Sequence, residues 1–421
     1  MCSHAACASP NYKKDNHLKK NRTSFIRNVA AISFVGFAGI CAYANDFDAI
    51  VASLLGNDVQ LELMQRQADA ASASLDASNV LSDPEAEVEY LRSGSGEQKF
   101  NLSVSQSFDW PGVYSARNRQ IELERSGLRL ACEAERNAQR MKLRTLLVDI
   151  IAANRVIAQM SETVELCDKL LDTLESDYKR GDVSVLEVNK MRIELADFKL
   201  KLSEAKTGKD ALLGELVSMS DNADEIIARC DGLDNFPIIG LKSLEQYIEE
   251  AKAAAPSLQE ARNAVVMAKA RKEVASRSTL PGFSAGYRLS REDGMLFNGF
   301  TVGVSVPLWR ASKERRAAAS EEISAMFGEK AEEIKLEKNV DATYRKAVSL
   351  KETLEQYGTA LTASDNVGLL RRAYESGAIT LTEFVLEVNY FVKAGVQYTE
   401  LQRRYYNALV ELSRYDDYTE Q

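Results

Sequence analysis

Two short stretches of the chain alternate apolar and polar residues. Residues 101–110, NLSVSQSFDW, place Leu, Val, Gln, Phe and Trp on one side and small or polar residues on the other, and residues 300–309, FTVGVSVPLW, repeat the pattern. Each stretch follows another alternating run with a polar turn, at residues 85–98 and 283–299. Because successive side chains of a strand point to opposite faces, the pattern predicts two β-hairpins.

Two much longer stretches have the period of a helix. In residues 115–178 an apolar line runs at steps of mostly three and four residues, and the pattern resumes at residues 185–216 beyond Gly181. Glycine readily adopts the left-handed backbone that ends many helices. The second half repeats this pattern over residues 311–374 and 381–412. Each half therefore predicts one long antiparallel helical hairpin.

The two halves are related by a constant offset. Pro111 and Pro307 are 196 residues apart, as are Tyr178 and Tyr374, and the glycines that follow these tyrosines. The 67 residues from proline to tyrosine in each half would measure about 100 Å as one continuous helix. This constant spacing indicates an internal duplication, which also includes the helix that precedes each hairpin.

Charge and the N-terminus narrow the possible roles. A net charge of -9 disfavours nucleic acid as a partner, since phosphate binding needs a basic surface. The first 44 residues combine a basic segment, an apolar run and Ala42-Tyr43-Ala44, which is the pattern of a cleaved signal peptide. A retained membrane anchor and a lipidated Cys41 are the alternatives, although Ile40 is bulkier than the residue that usually precedes a lipidated cysteine.

Removal of the leader would also remove both histidines and three of the six cysteines. The remaining Cys132, Cys167 and Cys230 are widely spaced, and residues 45–421 contain no CxxC, HExxH or histidine-based triad. The TGKD sequence at Thr207 lacks the upstream glycine of a phosphate loop. We therefore expect no catalytic residues, no metal site and no cofactor.

Strands of this length and pattern fit a membrane β-barrel, in which apolar residues face lipid and small polar residues face a watery lumen. Packing of both hairpins on a small water-soluble core is the alternative. The only two tryptophans, Trp110 and Trp309, stand at the strand-to-helix junctions, where aromatic residues meet a membrane interface. Four strands cannot close a barrel, so a membrane-bound form must be an oligomer.

The order of leader, helix, β-hairpin and long helical hairpin, followed by the same again with Tyr-x-x-Gly at both helical turns, resembles the outer membrane factor family typified by TolC. The resemblance covers residues 45–413. It implies a mainly α protein with a membrane β part, in which two structural repeats per chain form a homotrimer with a twelve-stranded β-barrel continued by an α-helical barrel.

The resemblance also implies a function and a set of partners. Such proteins are passive exit ducts for tripartite efflux pumps or type I secretion, located in the outer membrane of Gram-negative bacteria and extending into the periplasm. They contact outer-membrane lipid and dock on a periplasmic adaptor (membrane fusion) protein, which connects them to an inner-membrane transporter of the RND, ABC or a similar class.

Applied to this chain, the family layout gives eight segments. They are a signal peptide at 1–44, a first periplasmic helix at 45–80, an outer-membrane β-hairpin at 81–110, a helical hairpin at 111–216, an equatorial linker and helix at 217–278, a second β-hairpin at 279–308, a second helical hairpin at 309–415 and a tail at 416–421.

The two Tyr-x-x-Gly turns correspond to the periplasmic tips, where the adaptor binds and the duct closes. The tip residues implied by the resemblance are Tyr178, Gly181, Val183, Ser184, Tyr374, Gly377, Ile379 and Thr380. The alternative is that each motif is only a helix turn in which the tyrosine packs.

Gate residues match the family less completely. Glu187 and Glu383 stand where the family has acidic residues. A further family acid falls on Leu386, with Glu387 beside it, and the family's latch arginine falls on Ile379. Glu187, Glu383 and Glu387 are thus pore candidates, with a solvated helix face as the alternative role. A periplasmic or secreted coiled-coil scaffold, or an adaptor-like protein, is the alternative for the whole chain.

Overall fold

The computed structural model describes residues 40–416 apart from 57, 93, 95–97, 220–222, 293, 308 and 363–365. Most of the predicted leader and the tail beyond Asp416 therefore lie outside the described residues. Residues 40–44 of the predicted leader form the beginning of the first described helix.

The elements follow the predicted duplication. The first half contains α1 (Ile40–Gly56), α2 (Val59–Ala77), β1 (Glu85–Arg92), β2 (Gln98–Phe108), α3 (Pro111–Arg180), α4 (Val185–Val217) and α5 (Ala223–Asp231). The second half contains α6 (Leu244–Ala254), α7 (Pro256–Arg277), β3 (Gly282–Glu292), β4 (Met295–Ser305), α8 (Arg310–Thr362), α9 (Asn366–Glu375) and α10 (Leu381–Leu412), followed by a 3-10 turn at Ser413–Tyr415.

The four strands form one antiparallel sheet in chain order, β1-β2-β3-β4. Its register places Val88 opposite Leu102, and Leu102 opposite Leu289 of the second half. β2 and β3 thus join the two hairpins into one sheet, while β1 and β4 are its outer strands. Within the described chain, the outer edges of β1 and β4 have no strand partner.

The helix α3 contains 70 residues, which corresponds to a length of about 105 Å. Pro111 occupies its first turn, where the missing N–H costs no hydrogen bond. α4 and α10 pack along part of α3, and α7 packs along another part of it. α7 and α10 also pack on α8, so that the second half lies directly against the first.

A single apolar stripe does not describe the middle of α3. Between Met141 and Ala152 most side chains are buried, and residues 146–148 are buried one after another. Helices α1, α4, α5 and α10 all contribute to the core cluster around this segment. The segment is therefore enclosed on several sides by helices that are distant from it in sequence.

The helix pairs that precede the two β-hairpins correspond to each other. α1 and α2 meet at Asp58, whose carboxylate accepts a 2.8 Å hydrogen bond from the Gln60 N–H. α6 and α7 meet at Ala255, and Pro256 opens α7. α1 packs in a core cluster with α3, while α6 and α7 pack in a second cluster with α8. The predicted fold class, with two repeats of helix, β-hairpin and helical hairpin, is confirmed.

Candidate functional site

The sheet presents one apolar face that nothing in the described chain covers. On β4, Phe300 and Val302 are 89% and 81% exposed, and Val304 is also exposed. The same face continues across the other strands through exposed side chains: Val88, Tyr90, Phe100, Leu102, Val104, Phe283 and Tyr287. Gln106 also lies on this face, and its amide donates a hydrogen bond to the Ser82 carbonyl.

The opposite face carries small and polar residues. An added Cβ at Gly286 would lie 2.7 Å from both Thr301 Oγ1 and the Val104 carbonyl oxygen. Gly282 and Gly303 are similarly close to serine hydroxyls of the neighbouring strands. These approaches show that the polar face is crowded around these three glycines, whereas the apolar face is open.

Two glycines on the polar face allow a matched test of this crowding. We expect Gly286→Ala to destabilise the sheet by about 1–3 kcal/mol, the usual cost of forcing extra atoms into a packed site. Gly299, on β4, has no atom within 4 Å of an added Cβ, so Gly299→Ala should be neutral or slightly stabilising. Thermal unfolding of the two variants in detergent would compare them. Equal stability would contradict the crowded polar face.

Both tryptophans lie at the end of the sheet from which the long helices continue. Trp110 is the N-cap residue of α3, and its ring lies 5.6 Å from that of Phe283. Trp309 immediately precedes α8 and is 82% exposed. Their placement agrees with the junctions predicted from the sequence, and their role as membrane-interface aromatics remains a prediction.

The two Tyr-x-x-Gly turns have the same backbone design. Gly181 has φ 88° and Gly377 has φ 72°, both in the left-handed region. In the first turn the Gly181 N–H donates to the Tyr178 carbonyl at 3.0 Å and the next N–H donates to the Asp177 carbonyl at 3.0 Å. The second turn repeats both bonds around Gly377, each at 2.9 Å. This arrangement is a Schellman motif, which satisfies the last carbonyls of the preceding helix.

Each turn is followed at once by a capped helix. Ser184 caps α4, and Glu187 accepts from the Ser184 backbone N–H at 3.0 Å. Thr380 caps α10, and Glu383 accepts from the Thr380 backbone N–H at 2.8 Å. Both are capping boxes: the serine or threonine hydroxyl accepts a hydrogen bond from the glutamate backbone N–H, and the glutamate carboxylate accepts one from the serine or threonine backbone N–H. The chain direction at each tip is thus fixed by side chains of the tip itself.

The two tip tyrosines differ in their surroundings. Tyr374 is partly buried and packs on Phe384, with 5.4 Å between the ring centroids. Burial raises the pKa of Tyr374, and the nearby carboxylates of Glu187 and Asp177 raise it further. Tyr178 is instead exposed. The neighbouring tip positions Val183 and Ile379 are half-buried and pack against the same core cluster.

The three pore candidates occupy different environments. Glu187 and Glu383 have a local structural role in the capping boxes, whereas Glu387 is exposed on the next turn of α10 beside the exposed Leu386. Hydrogen bonds from the Thr380 backbone N–H and hydroxyl lower the pKa of Glu383. A carboxyl of depressed pKa stabilises the fold fully above its unfolded pKa of about 4.3. This cap is therefore intact at neutral pH and is lost as the pH falls through the lower folded pKa.

Contacts between the two hairpins were not predicted from the sequence. The Lys190 ammonium donates to Thr382 Oγ1 at 3.3 Å, and the Asn389 amide donates to Glu194 Oε2 at 3.1 Å. These bonds join α4 to α10 just above the tips. A shared core of α3, α4 and α10 side chains lies beside them, so the two tips of one chain stand side by side.

The described residues contain no group of three or more His, Cys, Asp or Glu side chains placed to hold a metal ion. Burial raises the pKa of Cys167 to about 12 and that of Cys230 to about 11, which makes both thiols poor nucleophiles at neutral pH.

Among the helices that the structure describes, none combines the length and apolar character needed to cross a membrane.

Comparison with known proteins gives the same fold. No protein-family model and no curated protein matches the sequence. Among solved structures, the CmeC outer membrane channel of Campylobacter jejuni matches with a TM-score of 0.66 at 16% identity, over 98% of this chain and 93% of that one.

Two further structures agree. The outer-membrane channel OprN has a TM-score of 0.69 at 13% identity, over 89% of this chain and 91% of that chain. The outer membrane protein VceC of Vibrio cholerae has a TM-score of 0.64 at 14% identity, over 88% and 95%. These matches confirm the resemblance at the level of the fold: the chain is folded as TolC-like outer-membrane channels are, and CmeC and OprN are themselves outer-membrane channels.

Proposed function

We propose that three copies of this chain form an exit duct in the outer membrane of a Gram-negative bacterium. The observation that carries this proposal is the four-stranded sheet with an exposed apolar face and two open edges. In lipid, every backbone polar group must be paired within the protein. Pairing β1 of one copy with β4 of the next would satisfy both edges and close a twelve-stranded barrel.

The two faces of the sheet support a watery barrel in lipid. The exposed apolar face would contact lipid tails, and the small polar face with Gly286 would line the lumen. A water-soluble scaffold would leave an apolar patch of this extent in water, which soluble proteins rarely do unless it is an interaction surface. The sheet therefore favours the duct over the periplasmic or secreted coiled-coil scaffold.

In this proposal the long helices continue the duct into the periplasm. The tips around Gly181 and Gly377 would bind a periplasmic adaptor, and an inner-membrane transporter would act through that adaptor. The chain itself would provide a passive path and carry out no covalent chemistry. The paired capping boxes support this role, since they give both tips one rigid, repeated shape that several adaptor copies could recognise.

Electrical recording tests the duct directly. Protein purified from the outer-membrane fraction and added to a planar lipid bilayer should produce discrete conductance steps, while the detergent buffer alone should produce none. A duct that is closed at rest gives small steps, but these remain discrete. Oligomeric protein that inserts into the bilayer without any conductance steps would contradict the proposal.

The pore role of Glu383 can be separated from its capping role. Glutamine keeps the capping box but removes the charge, so Glu383→Gln should preserve the tip and lower the preference for K⁺ over Cl⁻. The reversal potential in a KCl gradient measures this preference. Glu383→Ala, which also loses the cap, is the comparison for structural damage. An unchanged reversal potential in Glu383→Gln would remove Glu383 from the pore.

A further inference from the structure

Three exposed apolar residues lie seven residues apart on α4. Leu186, Ile193 and Leu200 are 69%, 70% and 57% exposed. A spacing of seven places them along one narrow line of a helix, the pattern by which one helix packs against another. Within the described chain this line faces no partner helix, although α4 packs on α3 through other residues.

The internal duplication indicates what this line contacts. At the offset of 196 residues, its counterparts on α10 are Thr382, Asn389 and Val396. Thr382 accepts a hydrogen bond from Lys190, and Asn389 donates to Glu194. Val396 packs against the core shared by α3, α4 and α10. On α10, therefore, the equivalent line is the one that contacts the first hairpin.

The α4 side of this contact also has counterparts on α10. On α4, the residues that form hydrogen bonds with Thr382 and Asn389 are Lys190 and Glu194. Their counterparts on α10, again 196 residues later, are Leu386 and Tyr390. These two side chains are also exposed and apolar, at 64% and 65%. Both sides of the polar contact thus have largely exposed apolar counterparts in the described chain, where Tyr390 makes an edge-to-face contact with the adjacent Phe391.

We propose that, at the tips, α4 of one protomer packs against α10 of the next through an apolar seam in which Leu186 meets Leu386 and Ile193 meets Tyr390. This inference rests on the proposed trimeric duct. The ring of tips would then alternate three polar seams within protomers with three apolar seams between them. Burial of these side chains holds neighbouring protomers together, so the apolar seams are the ones that keep the aperture closed.

Disulfide cross-linking tests the pairing. The variant Ile193→Cys/Tyr390→Cys, in a Cys132→Ser background, should form covalent dimers and trimers on oxidation in outer membranes, and reductant should reverse them. The matched pair Glu194→Cys/Asn389→Cys should link within one chain and keep the mobility of a monomer. The two single-cysteine variants of the first pair control for accidental oxidation.

Conductance tests the closing role. Ile193→Asp places a charge in the seam and should raise the single-channel conductance several-fold, whereas Ile193→Leu should leave it unchanged. If native mass measurement shows a trimer, but the first pair gives no covalent oligomer or Ile193→Asp has normal conductance, the seam is wrong and the duct proposal stands. If the protein is a monomer, the duct proposal fails and the seam fails with it.

Discussion

Replacement of Val302 by arginine is expected to destabilise the assembled protein by about 2–4 kcal/mol per chain if the site lies near the middle of the membrane. Val302 lies on the apolar face of β4 and is 81% exposed in the single chain. In the proposed barrel this exposure is contact with lipid, where a guanidinium loses its water. The change should appear as a lower temperature at which the detergent-solubilised oligomer separates into monomers.

Thr301→Arg is the matched control for this substitution. Thr301 is the preceding residue of the same strand, at nearly the same depth, but it points to the polar face. Because Gly286 opposite it has no side chain, an arginine there has room to enter the watery lumen and should leave the separation temperature close to that of the unchanged protein. Equal effects of the two arginines would show that the apolar face of β4 does not contact lipid.

Replacement of the tip glycine Gly377 by valine is expected to abolish export while leaving the oligomer intact. Gly377 has φ 72°, and no atom lies within 4 Å of an added Cβ. The substitution therefore acts through the backbone alone, because a left-handed conformation costs an L-residue about 1–2 kcal/mol and a β-branched residue more. The helix end would unwind or rotate, and the tip would lose its shape.

Gly377→Asn separates backbone strain from the mere loss of glycine, since asparagine tolerates the left-handed conformation. We expect near-normal export from Gly377→Asn and none from Gly377→Val, when each replaces the chromosomal copy in the bacterium of origin. Drug susceptibility and dye accumulation would measure export, and oligomer mass would confirm assembly. Normal export by Gly377→Val would contradict the assignment of this turn as an adaptor-binding tip.

The sheet could be predicted well because the alternation of apolar and polar residues within each strand shows which side chains share a face. Alternation at Leu102 and Val104 placed these residues correctly on the apolar side, and the same holds for Val302. The turn of the second hairpin was less clear, because Phe297 and Met295 interrupt the alternation with apolar residues on the polar side. In the structure β4 already begins at Met295, after a left-handed Gly294.

The helical regions show where local pattern stops being sufficient. The stripe on α3 predicted a helix, but the burial of consecutive residues such as Leu147 and Val148 depends on α1 and α5, which come from distant parts of the chain. At the tips the capping signal was present in the sequence as Ser-Val-Leu-Glu and Thr-Leu-Thr-Glu. In the structure this signal corresponds to the capping boxes of Glu187 and Glu383, whereas the family resemblance assigns these two residues to the pore.

The contact between Asn389 and Glu194 had no local signal at all. It joins residues 195 positions apart, and neither helix pattern distinguishes these polar residues from others on a solvated face. Only the packed structure, combined with the internal repeat, makes this contact informative about the neighbouring protomer. The same reasoning explains why exposed Ile193 could not be recognised as an interface residue from the sequence.

The trimeric barrel is tested most simply by the native mass of the protein extracted from outer membranes with mild detergent, measured by light scattering with the detergent contribution subtracted. We expect a homotrimer in the outer-membrane fraction, because pairing β1 of each copy with β4 of the next leaves no open edge and the TolC-like fold implies three copies in the ring. A monomer or dimer in the soluble periplasmic fraction would contradict the barrel and favour the coiled-coil scaffold.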